Sequence, residues 1–223
     1  MCKQRGSGFC SELGSDPDKW SRNEPLPKPA DFDQLWSRFQ DVIMHERRRE
    51  FQQARAILEA FPGESLRQWF DVHAQNSGEW RSKEFNIQAP NRILPLDPVK
   101  QFNKYFSEIL KRDNFRCRYC GRTVIPSIWL KEIHLHIGSQ FFPIGRKNSD
   151  RNGYFLNLCA TLDHVLPHSL GGQTNPNNLV TSCWPCNYGK MNWTLEQIGL
   201  EDPFLREPLP LESPIEYLKG IPL

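Results

Sequence analysis

NNLVTSCWPCNYGK, residues 177–190, runs from an apolar stretch into a Cys-x-x-Cys pair, Cys183 and Cys186, followed at once by Asn187 and then Lys190. One such pair is a weak signal. Upstream, RCRYCGR at 116–122 supplies a second, Cys117 and Cys120, with a glycine directly after it. Two residues between cysteines fit a tight knuckle, and two knuckles complete a tetrahedral shell of four thiolates around Zn2+. Disulfides fit less well, because MCKQRGSGFC has no apolar leader and the chain reads as cytoplasmic. A redox motif fits less well because there are two pairs. The gap between them exceeds that of a compact zinc ribbon, so a folded insertion, 122–158, is expected there. Of the other cysteines, Cys159 reads as a buried thiol in the apolar run YFLNLCATLDH (154–164), which reads as a strand, and Cys2 and Cys10 stand isolated.

Between the pairs, NLCATLDHV (157–165) reads as a strand, LPHSLGGQTNPNN (166–178) as a long loop, and NLVTSC (178–183) as a returning strand. CNYGKMNWTLEQIGL (186–200) then reads as the start of a helix, with Thr194 and Gln197 at capping-box spacing. The order strand, loop, strand, knuckle, helix is a ββα unit. It places Asp163 and His164 late in the first strand. Neighbours on a strand point to opposite faces, so these two can share a site only where the strand ends, twists or bulges.

RDNFRCRYCGR, LDHVLPHSLGG, NNLVTSCWPCNYGK and TLEQIGL, taken in order, resemble the HNH (ββα-metal) endonucleases over about 40% of the chain. The resemblance implies a zinc-stabilised ββα-metal domain; with the helical N-terminal region read from its apolar period, the expected fold is α+β. The resemblance matches His164 to the general base. Asp163 and Asn187 match ligands of one catalytic Mg2+ or Mn2+, and Asn178 matches a residue that orients the histidine or braces the loop. Oxygen ligands suit such hard cations and leave positions open for water and phosphate. His168, Lys190, Arg116 and Arg118 are the candidate substrate contacts. Some relatives carry a third metal ligand one helical turn beyond the position of Asn187; here that place is Met191. The implied function is metal-dependent hydrolysis of phosphodiester bonds in DNA, in restriction or antiviral defence. A zinc-stapled nucleic-acid-binding module without cleavage is the reading from another class, and RNA is the other polymer.

The charge distribution fits either an electrostatic footprint for phosphates or a solvated face. The net charge is only +2, yet residues 100–151 carry eleven Lys or Arg against four acids. Within that stretch, FFPIGRKNSDRNGY (141–154) is either a loop gripping the substrate backbone or a surface elaboration. IHLHI (133–137) reads as a surface strand with His134 and His136 on one face, rather than a second metal site.

The rest divides into an extended arm (1–30), a helical accessory region (31–96), the nuclease domain with its lead-in helix (97–200) and a Pro-rich acidic tail (201–223). In the accessory region Asp31 to Gln34 has capping-box spacing, and Phe32, Leu35, Phe39 and Ile43, then Ala54 and Leu58, follow a helical period. HERRRE (45–50) reads as a solvated turn, and a further helix is expected over 64–73. Asp97-Pro98 is a good helix opening. No apolar run reaches the roughly 20 residues that span a bilayer. A homodimer, or a companion protein docking on the helical region, is the remaining expectation for partners.

Overall fold

The computed structural model describes residues 24–75 and 102–211. Most of the extended arm, the Asp97-Pro98 helix opening and the end of the tail lie outside these residues. In chain order the elements are α1 (Phe32–Arg47), α2 (Phe51–Ala60), α3 (Glu64–Trp69), α4 (Phe102–Arg112), α5 (Ser127–Ile137), α6 (Gly153–Leu158), β1 (Ala160–His164), β2 (Leu179–Cys183) and α7 (Trp184–Lys190). No helix among the described residues is long and apolar enough to cross a membrane.

The helical period of the accessory region is what folds it. Phe32, Leu35, Phe39, Val42 and Ile43 of α1, and Ala54 and Leu58 of α2, are buried. The two helices are a broken pair, and the break falls in HERRRE, where Arg49 adopts φ 60°. Asp31 takes the N-cap position but makes no capping bond. Its carboxylate accepts instead from the Ser65 hydroxyl at 2.5 Å, tying the start of α1 to α3. Helix α3 then widens into a π-helical turn over Phe70–Gln75.

Two stretches expected as strands are helices. IHLHI lies within α5, where Trp129, Leu130, Ile133 and Ile137 are buried at helical spacing. His134 and His136 are therefore turned apart, about 200° around the helix. His134 meets the Phe142 carbonyl at 2.7 Å, and His136 meets the buried Glu46 of α1 at 2.6 Å. Residues 153–158 form α6, all six buried, and Asn152 caps it by accepting from the Tyr154 N–H at 2.9 Å. Cys159 thus lies between helix and strand, not within a strand. It is 1% exposed, as expected of a buried thiol.

β1 and β2 form an antiparallel pair in the register Ala160↔Cys183 to His164↔Leu179. Helix α7 begins immediately, so Cys186 sits in its first turn, and it ends where Met191 turns to φ 51°. The helix therefore starts inside the knuckle rather than after it. Thr194 and Gln197 do exchange both capping-box bonds, at 2.9 and 3.2 Å, but they close only a turn.

One hydrophobic core joins α1 and α2 to both strands and to the cysteine pairs. Phe39 stacks on Phe142 and Tyr154, with ring centroids 5.6 and 4.5 Å away. At the α3–α6 contact a Cβ on Gly153 would stand 1.9 Å from the Gly63 carbonyl oxygen. Only a residue without a side chain permits that approach.

Candidate functional site

The first knuckle closes on itself: the Cys117 N–H donates to the Arg122 carbonyl at 2.8 Å, and the Gly121 N–H to the Cys117 carbonyl at 2.9 Å. Gly121 has φ 74°, which glycine adopts without strain. Cys183 ends β2 and Cys186 opens α7, so strand pairing carries the second pair to the first. All four Sγ atoms lie within 4.8 Å of one another, and Cys120 and Cys183 are 3.7 Å apart. A Zn–S distance of 2.3 Å implies tetrahedral edges of about 3.8 Å. None of the four is in a disulfide. Among the described residues no other three Cys, His, Asp or Glu converge this way.

Electrostatics make the same demand. Burial opposes ionisation at Cys117, yet hydrogen bonds from the other three thiols hold it well below its usual range. Burial pushes Cys183 and Cys186 well above theirs. Four thiols this close and this buried ionise together only around a cation. The donor set and its spacing fit zinc. Arg122, 7% exposed, adds positive charge nearby: burial disfavours its charged form, but the thiolates of Cys120, Cys183 and Cys186 outweigh it. Its guanidinium packs over the rings of Phe32 (4.6 Å) and Trp69 (5.9 Å). Its Nε and Nη1 find no hydrogen-bond partner among the described residues.

Asp163 lies at the other end of the same unit. It is 6% exposed. Its Oδ2 accepts from the Tyr119 hydroxyl at 2.6 Å and stands 3.1 Å from the Lys190 ammonium, while its Oδ1 lies 3.2 Å from the Asn187 amide. Burial raises the carboxyl's pKa, against the opposing charge of Lys190 and the hydrogen bond from Tyr119. Burial and the neighbouring Asp163 push the Tyr119 phenol well up, so it stays a donor.

His164 is the last residue of β1, and its ring engages different partners. Its Nε2 is 3.0 Å from the Thr174 hydroxyl, and its ring centroid is 5.3 Å from that of His168. Burial, then the charges of His168 and Lys190, depress it to about 4, leaving a neutral imidazole at neutral pH. β1 ends at His164, and Lys190 reaches both residues: its ammonium, 3.1 Å from Asp163 Oδ2, also donates to the His164 carbonyl at 2.8 Å. Asn178 braces the loop. It accepts from the Leu166 N–H at 2.8 Å and donates to the Leu166 and Gln173 carbonyls, both at 3.0 Å. Gly172 completes this turn, since a Cβ there would lie 1.9 Å from the Leu166 carbonyl oxygen.

Three candidate substrate contacts are committed elsewhere. Lys190 is fully buried, its charge spent on Asp163. Arg118, 8% exposed, turns its guanidinium onto the carbonyls of Pro203 and Arg206 in the tail. Arg116 donates to the Thr123 hydroxyl at 2.9 Å within the knuckle hairpin. His168 is half-exposed beside His164. Tyr119 and Thr174 were not singled out from sequence. Tyr119 had a signal, an aromatic residue directly before the second cysteine of a knuckle; Thr174 had none.

Residues 155–201 match the family model of HNH endonucleases, a span that takes in β1, the braced loop, β2 and α7. No curated protein and no solved structure matches the chain. The Cys117–Cys120 knuckle precedes the matched span and reaches it through the thiol cluster. Residues 155–201 are therefore similar to an HNH endonuclease domain, and the four-cysteine cluster is compatible with its zinc-stapled type.

Proposed function

We propose that the protein is a metal-dependent endonuclease that hydrolyses phosphodiester bonds in DNA. One observation carries the reading: a neutral imidazole, His164, ends the strand whose preceding residue sets its carboxylate 3.2 Å from the amide of Asn187. Here the Asn187 Nδ2–H donates to Oδ1, and turning the amide over would present its oxygen beside the carboxylate as a second oxygen ligand. Asp163 and Asn187 would hold Mg2+ or Mn2+, which supplies charge neutralisation at the phosphate. His164 takes the proton of the attacking water. Asn178 holds the loop that sets His168 beside His164, within reach of a phosphate oxygen. Arg146 and Lys147, exposed on the loop that bonds to Tyr188 through Asn148 at 3.3 Å, meet the nucleic-acid backbone.

Base help of this kind contributes about 10²- to 10⁴-fold. The test is plasmid incubated with Mg2+ or Mn2+, wild type beside His164→Ala. Cleavage by the wild type alone, with equal zinc content in both, supports the reading. A tRNA substrate run in parallel asks whether RNA is cut instead. A role in restriction or antiviral defence, with a homodimer or a companion protein on α1–α3, follows from the same reading.

The second reading is a nucleic-acid-binding module without cleavage. Lys190 favours it, because Asp163 already has a buried cationic partner. Equal DNA retention by wild type and His164→Ala, with no nicking under either metal, selects it.

A further inference from the structure

We infer that Tyr119, held inside the first cysteine knuckle, is a positioning residue for Asp163: its hydroxyl occupies Oδ2 and leaves Oδ1 as the atom turned toward Asn187. The inference rests on the proposed role of Asp163 as a metal ligand and extends the site to a residue outside the matched family span.

Tyr119 stands between Cys117 and Cys120, is 1% exposed, and donates to Asp163 Oδ2 at 2.6 Å. Lys190 approaches the same oxygen at 3.1 Å from α7. Two donors on one oxygen fix the torsion of a carboxylate, whose plane otherwise rotates freely. The other oxygen then faces the Asn187 amide at 3.2 Å. The knuckle is itself fixed to the sheet, since the Arg118 N–H donates to the Thr181 carbonyl at 2.8 Å and Thr181 pairs with Leu162, next to Asp163. The thiol cluster and the strand ladder thus locate the phenol independently, and the phenol locates the carboxylate. The four-cysteine cluster thus bears on the candidate cation site through this side chain as well as through Asn187, which directly follows Cys186. If Tyr119 were only core filling, phenylalanine would serve equally well.

The experiment uses the full-length, zinc-loaded protein. Mn2+ is titrated into wild type, Tyr119→Phe and Asp163→Asn, with free Mn2+ followed by electron paramagnetic resonance, and zinc content and melting temperature are measured on each. Loss of a partner behind a metal ligand typically weakens binding 10- to 100-fold. The expected result is Mn2+ binding about tenfold weaker in Tyr119→Phe, with zinc fully retained, and no specific binding in Asp163→Asn. Wild-type Mn2+ affinity in Tyr119→Phe, or loss of its zinc, would overturn the inference while leaving the nuclease reading intact. If the wild type bound no Mn2+, the assignment of Asp163 as a ligand would fall, and this inference with it.

Discussion

Replacing Lys190 by methionine removes a positive charge while keeping a stem of similar length. In the native protein that ammonium is wholly buried, 3.1 Å from Asp163 Oδ2 and 2.8 Å from the His164 carbonyl. Breaking such a pair from one side leaves an uncompensated buried carboxylate and costs about 3–5 kcal/mol. At about 2–4 °C per kcal/mol for a chain of this size, the melting temperature should fall by roughly 6–20 °C. The sign with pH follows from Asp163, whose pKa burial already raises and which Lys190 opposes. Without Lys190 it rises further. A raised carboxyl contributes stability that is fully present below its unfolded pKa, about 3.9, and is lost as pH rises through its folded pKa. The deficit of Lys190→Met should therefore be small near pH 4–5 and largest at pH 8. Asp163→Asn combined with Lys190→Met should recover most of it, because no buried charge is left without a partner. The assay is urea unfolding of the zinc-loaded protein at both pH values without added Mg2+ or Mn2+. A single mutant within about 0.5 kcal/mol of wild type at pH 8, the scatter of an ordinary surface change, would show that Lys190 does not compensate Asp163.

Arg122→Met should release zinc to a chromogenic chelator about tenfold faster than wild type, and Arg122→Lys should fall between, because a thiolate cluster loses a buried counter-charge. Cys159, whose thiol burial pushes up to about 12, should escape alkylation in the folded protein and label only on unfolding, as peptide mass mapping would show. Phe39→Ala should cost about 3–5 kcal/mol by urea unfolding, since it deletes a fully buried ring stacked between Phe142 and Tyr154.

The cysteine pairs and the two strands were legible because their determinants are local: fixed spacing for the first, short apolar runs bounded by turn residues for the second. The helices α5 and α6 were misread for opposite reasons. In α5 the histidines at 134 and 136 alternate like a strand, while Trp129, Leu130, Ile133 and Ile137 carry the period that the fold obeys. In α6 every residue is buried, so no face distinguishes helix from strand. The directions of two charged side chains were hidden for a third reason. Whether Lys190 or Arg118 faces solvent depends on Asp163 and on a tail more than 80 residues beyond Arg118, and neither can be read from flanking sequence. The Asn187 amide comes to 3.2 Å from Asp163 because α7 follows directly on β2, the strand paired with β1.

The backbone contact at Gly153 governs how the molecule can be divided. Main chain rests on main chain there, so no side-chain change on one partner can be absorbed by the other. An excised piece beginning near residue 97 would lose Gly63 and Leu66, and with them the carbonyl that receives the Asn157 amide at 3.1 Å. Such a truncation would strip one wall from α6, the helix that leads into β1. Dissection of the HNH-like unit should therefore start upstream of α1.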